Sequence, residues 1–113
     1  MITSLGKVTI AAGGTPVQLT ANQPTPTNRL GAQTVMITVL AANAGILFIG
    51  QQGMNKTTGV GVFAQLPKPA DATVGPFATR DFVVQTGANG LDASGFWIDG
   101  TTGDGVVAAV IQN

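Results

Sequence analysis

The segment from Gln33 to Ala41 has the sequence QTVMITVLA, which is nearly continuous in apolar and β-branched residues. Such side chains favour strands, and a run without regular polar alternation is typical of a strand whose two faces are both covered. The segment therefore predicts a strand in the middle of a sheet. Asn43–Gly45 has turn residues, and Ile46–Gly50 is again apolar, so we expect a second strand that pairs with the first as a hairpin.

Short runs of the same kind occur along the whole chain, separated by glycine, proline and asparagine. No segment of eleven or more residues has the apolar spacing of a helix without an interrupting Gly or Pro. About eight short strands at this spacing predict an all-β, antiparallel β-sandwich or jelly-roll-like fold, in preference to a barrel, formed by residues 1–113 as one domain. Besides Gln33–Ala41, the predicted strands are Leu5–Ala11, Pro16–Thr20, Ile46–Gly50, Val62–Leu66, Arg80–Gln85, Gly95–Gly100 and Val106–Ile111.

Two segments are candidates for contact with other subunits. Residues 1–7 are a candidate extended N-terminal arm, and Ala21–Arg29 is polar and contains two prolines, so it should form an extended loop long enough to reach a neighbour. A flexible terminus and a solvated loop are the alternative interpretation. The candidate assembly contacts are Met1, Ile2, Leu5, Pro24, Pro26 and Arg29.

The charge composition excludes some partners. Five basic residues balance five aspartates, there is no glutamate, and the formal net charge is zero. Long-range attraction to nucleic acid or to an anionic membrane is therefore not expected. So few charges on the surface have two explanations. Either the sequence has drifted within what the protein tolerates, or partners in a larger assembly cover much of the surface.

Cysteine is absent, so stability must come from packing and assembly rather than from disulfides. The first residues lack the basic flank and apolar core of a signal peptide, and no apolar run approaches the ~20 residues of a membrane span. We expect a protein that is made and kept in the cytosol until assembly or release.

Catalytic chemistry has few candidates in this chain. With no His, Cys, Tyr or Glu, the usual general bases and activated nucleophiles reduce to aspartates and lysines. Ser94 is not in a nucleophile elbow and has no base partner in the sequence. We therefore expect no enzymatic activity and no cofactor, with an enzyme that uses only aspartates as the remaining alternative.

The best metal candidate is the segment Asp99–Asp104, because calcium prefers carboxylates and backbone carbonyls of glycine-rich loops. It lacks the ligand spacing and the bidentate glutamate of an EF-hand. Aspartates in turns more often accept hydrogen bonds from nearby backbone groups, so we predict a plain hairpin turn and no metal. Phe96 and Trp97 alternate along a strand and are predicted to pack mainly in the core, with an outward or interface position as the alternative for one of them.

The second half of the chain contains a series of short motifs in a characteristic order. They are Ile46–Gly50, a polar loop from Gly53 to Gly61, Leu66-Pro67-Lys68-Pro69, Phe82-Val83-Val84, Phe96-Trp97-Ile98-Asp99-Gly100 and Gly103-Asp104-Gly105-Val106-Val107. This order, over residues 45 to 111, resembles small β-sandwich proteins of tailed bacteriophage particles. The chain departs from the pattern at Pro67-Lys68-Pro69, where a Pro-Gly turn is common.

The resemblance implies a non-enzymatic structural component of the virion. The implied role is a capsid decoration (cement) protein, commonly a homotrimer, that binds the major capsid protein on the outside of the head shell and stabilises it. No site residues carry over from the resemblance.

Two alternatives remain at this point. One is a tail, baseplate or head-fibre component of the same particle. The other is a carbohydrate- or surface-binding module, since β-sandwiches often display ligand sites on one face. The module is disfavoured because sugar platforms use exposed aromatic rings, whereas this chain has one Trp, no Tyr and five Phe, most of which the core requires.

Overall fold

The computed structural model of the chain describes residues 1–68 and 81–112. The predicted loop prolines Pro69 and Pro76, and Arg80 at the start of one predicted strand, lie outside the described residues. The described part contains ten strands and one turn of 3₁₀ helix, Ala93–Gly95. The strands are β1 (Ile2–Thr9), β2 (Val17–Gln18), β3 (Gly31–Ala32), β4 (Thr34–Val39), β5 (Leu47–Gly50), β6 (Val62–Leu66), β7 (Asp81–Gln85), β8 (Leu91–Asp92), β9 (Trp97–Asp99) and β10 (Gly105–Ile111).

The strands form two four-stranded antiparallel sheets, in the orders β1-β10-β4-β7 and β2-β9-β5-β6, and a small ribbon, β3-β8. The pairing is nested, because β1 pairs with β10, β2 with β9, β3 with β8, β4 with β7 and β5 with β6. The two halves of the chain thus pair as one long antiparallel ribbon that folds over into two sheets. This is the strand order of a jelly roll, and the predicted all-β antiparallel sandwich is confirmed.

The core lies between the two sheets and is made of the inward-facing positions of each strand. These side chains alternate with outward-facing ones, as the period of two along a strand requires. We call β1-β10-β4-β7 the larger sheet, because its strands are longer, and β2-β9-β5-β6 the smaller sheet. The larger sheet contributes Val35, Ile37, Val39, Val106, Ala108 and Val110 to the core, and the smaller sheet contributes Leu47, Ile49, Leu66 and Ile98. Of the residues that the structure describes, no helix has the length and apolar character needed to cross a membrane.

The first strand begins earlier than predicted, which corrects the assignment of residues 1–7 to an arm. Ile2–Thr9 pairs with β10 along its length, with a bulge between Ser4 and Gly6. Because of this bulge, Leu5 and Val8 both face the core although they are three residues apart. Gly6 has a φ of 78°, which glycine adopts without strain. The bulge breaks the alternation that sequence analysis relies on, and the arm is in fact an edge strand.

The predicted hairpin between Gln33–Ala41 and Ile46–Gly50 is wrong. The strand β4 pairs with β10 and β7, whereas β5 pairs with β6 and β9 in the other sheet. The Asn43–Gly45 turn therefore crosses between the sheets. A central position for β4 is confirmed, but its outer face is only partly covered, because Thr38 is exposed and Met36 is half-buried.

The turn at Thr101–Gly103 also differs from the predicted hairpin. It connects β9 in the smaller sheet to β10 in the larger one, so the strands that it joins do not pair with each other. Short turns of this kind suit a jelly roll, in which successive strands alternate between sheets. Sequence spacing alone cannot distinguish a turn within a sheet from a turn between sheets.

Two adjacent residues of β10 test the assignment of its faces. Val106 is fully buried and Val107 is 46% exposed on the opposite face. We predict that Val106→Ala lowers the free energy of unfolding by about 2 kcal/mol, because it leaves a cavity in the core. Val107→Ala should change it by about 0.5 kcal/mol or less. Chemical denaturation of both variants measures the difference, and equal losses would contradict the register of β10.

Candidate functional site

The outer face of the sheet β1-β10-β4-β7 carries a continuous set of apolar side chains. Paired residues of antiparallel strands share a face, so the register places these side chains side by side. Ala109 lies between Ser4 and Met36, and Met36 is followed by Val83 on β7. We call this surface the apolar outer face; its members are Ile2, Met36, Val83, Val107, Ala109 and Ile111.

Three of these six side chains are exposed to solvent in the single chain, and the other three are half-buried. Ile2 is 70% exposed, Val83 is 55% exposed and Val107 is 46% exposed. Isolated exposed apolar residues are common on protein surfaces, but several on adjacent strands form a patch that usually marks an interaction site. The apolar outer face is therefore the first candidate site.

Charged side chains lie at part of the edge of the apolar outer face. In one row across the sheet, Lys7 pairs with Val107, Val107 with Thr38, and Thr38 with Asp81. The row thus has a basic residue on one edge strand, an acidic residue on the other, and an exposed valine and threonine between them. Ile2 and Val83 also lie on these two edge strands, so apolar and charged side chains are mixed at the edges, a composition compatible with a protein–protein contact surface.

Of the predicted assembly contacts, Met1 and Ile2 are exposed, and Ile2 belongs to the apolar outer face. The N-terminal amino group donates to the Gln112 carbonyl at 2.7 Å, and the Gln112 N–H donates back to the Met1 carbonyl. Leu5 is only 1% exposed, so its assignment as a contact is wrong. The bulge in β1 turns its side chain into the core.

The loop Ala21–Arg29 is folded onto its own subunit rather than extended, which corrects that prediction. Asn22 Nδ2 donates to the Lys7 carbonyl at 2.6 Å, Thr20 Oγ1 donates to the Pro26 carbonyl, and Arg29 Nη2 donates to the Asn89 carbonyl at 2.9 Å. Pro24 and Arg29 are exposed and Pro26 is half-buried. The loop covers part of the edge of β1, a common protection against unwanted strand pairing.

The segment Asp99–Asp104 uses its carboxylates to hold neighbouring turns. Asp104 is buried, and its two oxygens accept hydrogen bonds from the N–H groups of Ala44 and Gly45 at 2.8 and 3.0 Å. Asp99 Oδ1 accepts from Gly14 and from Gly100 at 3.0 and 2.8 Å. The described residues contain no group of three acidic or other metal-ligating side chains. These carboxylates fix the crossings between sheets.

Asp92 has the same role at the corner where the ribbon β3-β8 lies. Partial burial acts to raise its pKa, but hydrogen bonds from the Ser94 hydroxyl and from the N–H groups of Leu30 and Ser94 outweigh it, with help from the charge of Arg29. The pKa of the Asp92 carboxyl is therefore held below its usual value. Sequence analysis predicted a turn role for aspartates but not these distant partners.

A groove of about 520 Å³ lies on the outer side of the smaller sheet. Its walls include Trp97 on β9 and Gln18 on β2, which are directly paired, together with Gln51, Gln52 and Thr27. Phe96, next to Trp97, is buried and lies 6.0 Å from the ring of Phe63 and 6.3 Å from that of Phe82. The core role predicted for Phe96 is confirmed; Trp97 instead lines the groove.

The sequence contains a weak signal for the apolar outer face and none for the groove. The alternation of Val107, Ala109 and Ile111 with buried residues marks an apolar outer face once β10 is recognised as a strand. The groove could not be found in this way, because its walls come from loops and strands far apart in the chain. The chain matches no protein-family model, no curated protein and no solved structure.

The hydrogen bonds of Asp104 give a stability prediction. Asp104→Ala removes the acceptor of two backbone N–H groups, and we expect a loss of about 2–4 kcal/mol in the free energy of unfolding, since each group loses its partner. Asp104→Asn keeps the shape and one acceptor, so it should lose less. Equilibrium denaturation separates the two variants, and an unchanged stability for Asp104→Ala would contradict the role assigned to this carboxylate.

The lowered pKa of Asp92 predicts a dependence on acid. A carboxyl whose folded-state pKa is below its unfolded-state value stabilises the fold above the unfolded-state pKa, and this stability is lost as the pH falls through the folded-state pKa. The wild-type chain should therefore melt at a higher temperature than Asp92→Asn at pH 7, and the difference should disappear as the pH falls below 3.8. A difference in melting temperature that stays constant down to the lowest pH at which the chain folds would contradict the lowered pKa of Asp92.

Proposed function

We propose that the protein is a non-enzymatic structural component of a virus particle, a capsid decoration protein that binds the outer head shell and stabilises it. The observation that carries the proposal is the apolar outer face of the larger sheet. Exposed Val83 and Val107 lie there beside Met36, Ala109 and Ile111 in a chain with only ten charged residues. Covering this face in an assembly would remove apolar surface from water.

The charge balance also supports the proposal. With five basic and five acidic residues, copies of the chain repel one another little when they lie close together on a shell. Many copies on a symmetric particle add weak individual contacts into strong overall attachment. An apolar face that also carries Lys7 and Asp81 on opposite edge strands suits such contacts.

The fold is compatible with this role by analogy. Jelly rolls occur in viral capsid domains, and they also occur in lectins, so the fold alone does not decide between functions. Residues 45 to 111 resemble structural proteins of tailed phage particles, and this resemblance is our reason for proposing a location on such a particle. We propose the shell protein as the partner of the apolar outer face, and a trimer as the oligomeric state that the resemblance implies.

The first experiment is a copy-number measurement. Quantitative peptide mass spectrometry on density-purified particles from the source culture compares this chain with the major shell protein. A copy number comparable to that of the shell protein is the expected result. A handful of copies would favour a tail, baseplate or head-fibre component, and absence from the particles would contradict the virion proposal.

A matched pair of variants tests the apolar outer face. Val83→Lys places a charge among the apolar side chains of this face, and Val60→Lys makes the same change at a site that is 66% exposed and outside it. Burying an unpaired ammonium group is costly, so we expect Val83→Lys to bind particles stripped of the chain at least tenfold more weakly than wild type. Val60→Lys should bind like wild type.

Binding of each variant is measured by co-sedimentation with the stripped particles, after circular dichroism has established that both variants are folded. Native mass spectrometry gives the oligomeric state, for which a trimer of the 11.3 kDa chain is expected. If Val83→Lys binds as well as Val60→Lys, the apolar outer face is not the surface that contacts the shell.

A further inference from the structure

The groove on the smaller sheet has a chemical character that differs from that of the apolar outer face. None of the side chains that line it is charged; they are amides, hydroxyls and one indole. An anionic ligand such as a nucleotide or a phosphate requires basic groups or a helix N-terminus, and the groove supplies neither. Its chemistry fits an uncharged ligand with many hydrogen-bonding groups.

Several of these polar groups have no partner within the described part of the chain. The side chains of Thr27, Gln51, Gln52 and Trp97 make no hydrogen bond to another described residue. Each glutamine amide offers both donors and an acceptor, and the indole offers one donor. The groove therefore presents free donors and acceptors of the kind that hydroxyl groups satisfy.

The position of Trp97 is fixed by the sheet. It lies on β9 between β2 and β5, paired with Gln18 on one side and with Gly50 on the other. The amide of Gln18 is held in turn, because its Nε2 donates to the Ser94 carbonyl at 2.7 Å. Gly50 has no side chain, and the Gly61 carbonyl and the Met54 sulfur occupy the position where one would lie. A half-buried aromatic residue on a central strand, beside the held amide of Gln18, forms a preorganised part of the binding surface.

We propose that this groove binds an uncharged oligosaccharide. The C–H groups on one side of a sugar ring pack on an aromatic face, and its hydroxyl groups exchange hydrogen bonds with amides and hydroxyls. A volume of about 520 Å³ lies within the range of about 300–1,000 Å³ for small-ligand sites. This inference goes beyond the proposed attachment to a shell, and it assigns a binding role to the sheet face opposite the apolar outer face.

The two surfaces lie on opposite sides of the sandwich, because each is the outer face of one of the two packed sheets. Both can therefore be occupied at the same time. A chain attached to a shell through the larger sheet would present the groove outward, toward glycans at the surface of a cell or of another particle.

The single tryptophan provides a direct test. The fluorescence of Trp97 in the purified chain is followed during titration with cellotriose, maltotriose and triacetylchitotriose as neutral probes. We expect a saturable change in emission with at least one of them. No saturable change with any of the three would overturn the proposal.

Variants that keep the tryptophan locate the binding. The double variant Gln51→Ala/Gln52→Ala removes two amides of the groove, and we expect about tenfold weaker binding, as the loss of two hydrogen bonds implies. Gln65→Ala is the matched control, since Gln65 is exposed on β6 of the same sheet and does not line the groove. Equal binding by the double variant, or equal weakening by Gln65→Ala, would place the sugar elsewhere and overturn the proposal.

This test is independent of the proposed virion role. It uses the isolated chain and reads the environment of Trp97, whereas the virion role is read from the copy number in purified particles. Either proposal can therefore fail while the other stands. Melting temperatures of the variants establish that they are folded.

Discussion

The antiparallel pairing of the first half of the chain with the second half is the constraint on which the rest of the structure depends. The ladder runs from Ile2 opposite Ile111 to the hairpin of β5 and β6, and folding this ribbon over produces two sheets with one core. Each crossing between sheets leaves backbone N–H groups that need acceptors. Asp92, Asp99 and Asp104 accept hydrogen bonds from these groups at the corners and turns of the ribbon.

The same constraint produces two outer faces of different chemistry. Along β10, alternate residues face the core and the solvent, and the solvent-facing residues Val107, Ala109 and Ile111 are apolar. On the smaller sheet, by contrast, the outer positions include Gln18 and Trp97, beside a polar groove. Two such faces on opposite sides of one sandwich suit a chain that is attached on one side and binds a ligand on the other.

The sequence predicts the strands better than their pairing. The apolar run around Val35–Val39 and the final run from Val106 are strands as predicted, since burial dictates their composition. The bulge at Leu5 and Gly6 hides the beginning of the first strand, which starts at Ile2 rather than at the predicted Leu5. The two-residue strands β3 and β8 are too short to give a periodic signal. The groove escapes prediction because Trp97, Gln18 and Gln51 meet only when the ribbon has folded over.

We propose that the apolar outer face is covered in the assembled state. Because the chain has no cysteine, single cysteines at Val107 and at Val60 can be labelled with a maleimide in the free chain and in particles that contain it. We expect a cysteine at Val107 to react much more slowly in the particle than in the free chain, and one at Val60 to react at the same rate in both. Equal labelling of the Val107 cysteine in the two states would contradict the claim.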